Sequence, residues 1–160
     1  MRKMDKKGVT LIELVIVFVI IAIMAAFLAP SIGSWLPRYR LRSATRDIAS
    51  TLRAAQIRAI SSTLPSPTKT LVYQVNFTAG SSYVLQHNTT GGPVTNDGIP
   101  QSLPSGITMS TGALPGGIAT FYRDFTCSGG SITLSYIKNG VTKDQKTILL
   151  NQATGKITIQ

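Results

Sequence analysis

Residues 9–30 form a run of 22 residues with one charge, Glu13, and one hydroxyl, Thr10, and residues 14–29 are apolar without exception. As a helix, such a run is about 33 Å long at about 1.5 Å per residue, close to a bilayer hydrocarbon core of about 30 Å. Val15, Ile16, Val17, Val19, Ile20, Ile21 and Ile23 cover that helix all round rather than along a stripe. A helix apolar on every side belongs in lipid or in the middle of a bundle. This stretch therefore predicts a transmembrane or filament-core helix, and the rest of the chain has to be read around it.

Charge is distributed unevenly about the run. Residues 1–8 hold four cations (Arg2, Lys3, Lys6, Lys7) and one acid, Asp5, while residues 36–63 hold six arginines and one acid, Asp47. The whole chain of 160 residues carries 16 Lys+Arg against 6 Asp+Glu, a formal net charge of +10, with 43% hydrophobic residues. That hydrophobic content excludes general disorder, which pairs low hydrophobicity with high net charge. Cys127 is the only cysteine, so a disulfide scaffold is excluded. Six acids and one histidine leave little for a multi-ligand metal site or a crowded acid/base centre.

A basic start before an apolar run has three readings. One is a secretory signal peptide cut near residues 26–29. Another is a plain anchor with a cytoplasmic N-terminus, which the leader cations favour, although Arg38, Arg40, Arg42 and Arg46 put as many cations beyond the span. The third keeps the apolar stretch and cuts before it, at Gly8.

Glu13 separates these readings. A carboxylate inside a membrane segment costs roughly 2.5–3.5 kcal/mol at mid-helix, and less near the interface. The plain account has Glu13 reaching headgroup water. The functional account needs a cation, and cleavage before Val9 makes one, because an α-amino group has a pKa of about 7.7–8.0. Val9 and Glu13 stand at i and i+4 within one chain. Between chains, the same pair would dock one helix against the next in fixed stagger.

The run Lys6-Lys7-Gly8-Val9-Thr10-Leu11-Ile12-Glu13-Leu14-Val15 resembles the class III signal sequence of type IV pilins and pseudopilins. The resemblance implies a membrane peptidase/methyltransferase that cuts after Gly8 and N-methylates Val9, which stands where the family usually has phenylalanine. It also implies that Glu13 pairs with a neighbouring subunit's amino terminus and that Pro30 kinks the helix. The expected partners are that peptidase, the inner membrane and other pilins or pseudopilins in a filament. The expected topology is single-pass in a bacterial inner membrane, with the N-terminus cytoplasmic and the head periplasmic.

Pro30, Gly33 and Pro37 predict an interruption of the helix just past the apolar run. A new helical pattern then covers residues 38–62. At 100° per residue, Leu41, Ala44, Ile48, Leu52, Ala55 and Ala59 share an arc of about 80°, and Arg38, Arg42, Arg46 and Arg53 share another. The ordinary reading is an amphipathic helix on a sheet with a solvated basic face. Sharper ones are anionic lipid headgroups, nucleic-acid phosphate or an acidic neighbour in a filament.

Leu64-Pro65-Ser66-Pro67 ends that helix, and the period changes. Strand patterns follow at residues 70–77, 82–87, 117–125, 131–137, 145–150 and 156–159, with Asn139-Gly140 a hairpin turn. Residues 88–116 predict long loops with at most one short strand. The expected core sets Leu41, Ile48 and Leu52 against Leu71, Val75, Val84, Leu134 and Leu149. The fold class is α+β: a long N-terminal hydrophobic helix, transmembrane and then amphipathic, packed on a small, mainly antiparallel β head. The expected segments are a leader (1–8), an apolar helix (9–30), an amphipathic helix (31–63) and the head (64–160).

That layout, with ASTLRAAQIRAISS at residues 49–62, is similar to the GspH/FimT-type branch of pseudopilins and minor pilins. Some transformation-linked members of that branch bind DNA through an arginine-rich motif near the C-terminus. Residues 155–160 hold one cation, Lys156, and no arginine, so DNA is a possible but not a favoured partner. Asp97, Asp124 and Asp144 stand too far apart in sequence to suggest the major pseudopilin's calcium loop. His87, the only histidine, has no nucleophile-elbow pattern near it. The leading expectation is thus a non-enzymatic structural subunit without cofactor or metal, a minor pseudopilin or minor pilin. The alternatives are a pilus-associated DNA receptor and, more remotely, a tethered periplasmic enzyme.

Overall fold

The computed structural model describes residues 10–62, 71–78, 80–89 and 92–160, except for the side chains of residues 27–34 and 71. One helix, α1, spans Leu11–Ser61, 51 residues. Thr10 starts it. Its hydroxyl accepts from the Glu13 amide at 3.3 Å, and its carbonyl accepts from the Glu13 and Leu14 amides at 3.1 and 3.2 Å. The helix runs unbroken through Pro30, Gly33 and Pro37, which corrects the expected interruption. A proline withdraws one donor and strains one turn at about 3 kcal/mol, a local penalty that the flanking turns of this long helix absorb. Pro30 accordingly stands inside a helix rather than at its end.

The chain divides into two compact units, Met1–Leu36 and Pro37–Gln160. In the first, every described side chain from Thr10 to Ala26 is exposed. Among the described residues, no helix is long and apolar enough to cross a membrane.

The second unit sets the remainder of α1 with two antiparallel sheets. One sheet has the order β3-β2-β1-β6, from Val94–Asn96, Ser82–Thr89, Leu71–Thr78 and Ile118–Phe121, with β4 (Gln101–Ser102) also pairing β2. The other has the order β5-β7-β8-β9, from Ile107–Ser110, Gly130–Lys138, Val141–Leu150 and Ile157–Ile159. The β7–β8 hairpin turns on Asn139 and Gly140, both at positive φ (53° and 72°), as a primed two-residue turn requires.

The predicted helix face is the buried one: Leu41, Ala44, Ile48, Leu52, Ala55 and Ala59 join one cluster with Val75, Phe77, Phe121, Ile132, Leu134 and Ile148. Each large aliphatic side chain in it is worth about 1.5–3 kcal/mol of transfer free energy. Val84 is buried but does not join that cluster, where its neighbour Tyr83 stands instead, and the Leu71 side chain lies outside the described residues. Leu149 is a correction. On β8 it is Ile148 and Leu150 that turn inward, and Leu149 is only half-buried. Residues 88–116 also hold three short strands, β3, β4 and β5, rather than at most one. β3 and β4 are wholly exposed additions to the β2 edge, so they carry no apolar alternation. β5 buries Ile107 and Met109 in alternation.

Candidate functional site

Glu13 occupies the first turn of α1, with Thr10 as its cap. The Thr10-x-x-Glu13 spacing before an apolar run is a capping-box pattern, which gives Glu13 a local role at the helix start besides the expected assembly role. A carboxylate there faces the positive end of the helix dipole, worth typically 0.3–1 kcal/mol when exposed. Thr10 and Glu13 are both exposed, so the carboxylate is free to meet a cation from outside the helix. Gly8 and Val9, the expected cleavage and methylation positions, lie outside the described residues.

Residues 3–29 match the family described as the prokaryotic N-terminal methylation motif. The chain begins with a type IV pilin-like prepilin signal. Such a prepilin signal implies processing by a prepilin peptidase and assembly with other pilins. The α+β architecture with antiparallel sheets is consistent with a pilin-like fold. No curated protein and no solved structure matches the chain.

Beyond the prepilin signal, the arginines of α1 divide by what they touch. Arg38, Arg42, Arg46 and Arg53 are all exposed, as their arc predicts. Arg42 and Arg46 line a groove with Thr45, Lys146 and Ile159, and Arg38 and Arg53 do not. Arg40 donates to the Ser105 hydroxyl at 3.2 Å. Arg58 pairs with Asp97 at 3.3 Å, and the other oxygen of Asp97 lies 2.5 Å from His87 Nδ1. The Tyr73 ring flanks His87 at 5.9 Å. This Arg58–Asp97–His87 chain ties the end of α1 to β2 and the β3–β4 loop. It joins residues up to 39 positions apart, and no sequence spacing announces it.

The three head aspartates considered for calcium do not converge. Asp97 is engaged as above, and Asp124 accepts from the Thr126 hydroxyl and amide at 2.6 and 3.1 Å. Those two bonds, the hydroxyl first, hold the Asp124 carboxyl below the usual carboxylate range. Among the described residues, no group of three or more His, Cys, Asp or Glu side chains could hold a metal. Cys127 is buried, and its thiol donates to the Asn151 carbonyl at 3.3 Å. Tyr83 is buried under α1, where burial and then the nearby Asp47 carboxylate push its phenol up, against a Thr51 hydrogen bond.

Proposed function

We propose that the chain is a minor pseudopilin or minor pilin, a structural subunit of a type II secretion pseudopilus or a type IV pilus. The observation that carries this reading is the methylation-motif match over residues 3–29, in register with the exposed, capped Glu13. In this reading residues 9–30 hold the subunit in the inner membrane before assembly, N-terminus cytoplasmic and head periplasmic, and then enter the filament core. Prepilin peptidase cuts after Gly8 and Val9 is N-methylated. The new amino group pairs with Glu13 of a neighbouring subunit. That pairing removes the expense of an unpaired carboxylate in an apolar setting, and it fixes the axial stagger of adjacent helices. The subunit itself makes and breaks no bond; its work is assembly.

Intact-mass and N-terminal analysis of the chain from its native membrane tests this. Cleavage between Gly8 and Val9 leaves 152 residues of the 160, carrying one added methyl group. A native chain that begins at Met1, or near Pro30, overturns the reading.

A further inference from the structure

Two of the exposed arginines on α1 have a counterpart that the helix pattern alone does not reveal. Lys146 lies on β8, a hundred residues further along the chain than Arg46, yet it lines one groove of about 280 Å³ with Arg42 and Arg46. Arg42 and Arg46 stand one helical turn apart, about 6 Å along the axis, and Lys146 faces them from the sheet. Thr45 contributes no free hydroxyl proton to the lining: it is 2% exposed and its hydroxyl donates to the Leu41 carbonyl at 2.8 Å. Ile159, on the edge strand β9, supplies an apolar wall.

Among the described residues, no carboxylate pairs with Arg42, Arg46 or Lys146, and no acid lines the groove. Asp97 is taken by Arg58 and His87, and Asp124 by Thr126. Asp144 stands two residues before Lys146 on β8, and Asp47 follows Arg46 on α1, but neither reaches the lining. Three like charges held around one small space repel one another, and an anion relieves that repulsion. Guanidinium pairs suit a tetrahedral oxyanion because their fixed forks donate bidentately, while an ammonium adds a compact point charge.

We infer that this groove is a binding site for a phosphate group, held by Arg42 and Arg46 from the helix and Lys146 from the sheet. The site takes two of the four arginines of the arc, Arg42 and Arg46, and adds Lys146 from the sheet, while Arg38 and Arg53 lie outside it. Its volume falls just below the usual range of ligand pockets, about 300–1,000 Å³, which fits a single phosphomonoester or phosphodiester rather than a nucleotide with its base. The Ile159 wall suits a phosphate attached to a hydrocarbon or glycerol moiety. A nucleic-acid backbone instead asks for a row of cations along its track. The inference stands independently of the assembly reading.

The test uses the full chain in neutral maltoside micelles, with thermophoretic titration by inorganic phosphate, glycerol phosphate, micelle-doped phosphatidylglycerol and a single-stranded DNA 20-mer. Glycerol phosphate or phosphatidylglycerol should bind, and inorganic phosphate should displace it. Tighter binding of phosphatidylglycerol identifies a lipid headgroup as the source, and equal binding of the soluble phosphates identifies a free one. Arg42→Gln, Arg46→Gln and Lys146→Gln should each weaken binding about tenfold, the loss of one charge-assisted hydrogen bond. Arg53→Gln removes the same charge outside the groove and should change affinity less than about twofold, as expected of a screened surface charge. Arg46→Lys, which keeps the charge, should fall between wild type and Arg46→Gln. The proposal is overturned if Arg53→Gln weakens binding as much as Arg46→Gln, since the effect is then a diffuse field. It is equally overturned if no phosphate probe binds, or if DNA alone binds and Lys146→Gln leaves that binding unchanged.

Discussion

Val19 and Leu52 belong to the same helix and to the same class of side chain, yet Val19 is 52% exposed and Leu52 not at all. The difference runs through their surroundings. Around Leu52 the apolar residues keep to one face, and two sheets close over that face. Around Val19 they occupy every face, and among the described residues Leu11, Ile12, Phe18 and Met24 are each more than 60% exposed. A monomer rarely leaves so much contiguous apolar surface in water. One stretch of α1 is therefore a finished piece of protein core, and the other presents the apolar surface that the proposed assembly would cover.

The sharpest way to break this comparison is Glu13→Ala. The variant should be cut and inserted like wild type but fail to enter filaments, scored by co-purification with partner pilins. Undiminished co-purification would show that the apolar stretch assembles by grease alone. Next in size is a paired truncation. Leu52→Ala should cost about 2–5 kcal/mol in chemical unfolding of Pro37–Gln160, whereas Val19→Ala in the full chain should leave the head's unfolding midpoint where it was. Equal effects would erase the distinction between the two stretches.

A smaller effect tests how the inner stretch is tied down. Gln56 donates to the Gly155 carbonyl at 3.2 Å, and Gly155 sits at φ 62° where a Cβ would meet the Phe125 carbonyl oxygen at 2.5 Å. Gly155→Ala should cost about 1–3 kcal/mol, read by the same denaturation. The smallest effect is on pH dependence. Burial under α1, and then the nearby Asp47 carboxylate, push the Tyr83 phenol above its ordinary value of 10.0. Below that pH it is neutral whether the chain is folded or not, and contributes no slope. Above it the unfolded chain ionises first, so the head should lose stability as pH rises. Tyr83→Phe should flatten that alkaline limb.

What the sequence made legible follows from periodicity and range. The six apolar positions expected on the α1 face are all buried because 3.6-residue spacing is local, while Thr45 and Ala49 beside them are buried outside that pattern. The Asn139-Gly140 turn was readable because few residues tolerate positive φ twice in succession. Leu149 was misplaced because Ile148-Leu149-Leu150 is apolar throughout, so composition cannot say which parity faces inward; only pairing with β7 does. The Arg58–Asp97–His87 chain and the meeting of Lys146 with Arg42 and Arg46 were invisible for a different reason. They depend on strand register across tens of residues, which no window of sequence contains. At the N-terminus the balance reverses: the motif that speaks most plainly about function is carried by residues 3–29, ahead of any tertiary packing.

The short reach of β9 has its own consequence. It pairs only Ile148, Leu149 and Leu150 of the ten-residue β8, and Gln160 adds backbone bonds to Thr147. Residues 141–146 of β8 thus have no strand beside them on that edge among the described residues. A bare edge of this kind invites fibril growth by strand addition between molecules. Here the unpaired stretch reads Val-Thr-Lys-Asp-Gln-Lys, and an incoming strand would have to bury Lys143, Asp144 and Lys146 against its own side chains. The head is thereby guarded against amyloid-like stacking by the same sheet margin that brings Lys146 to α1.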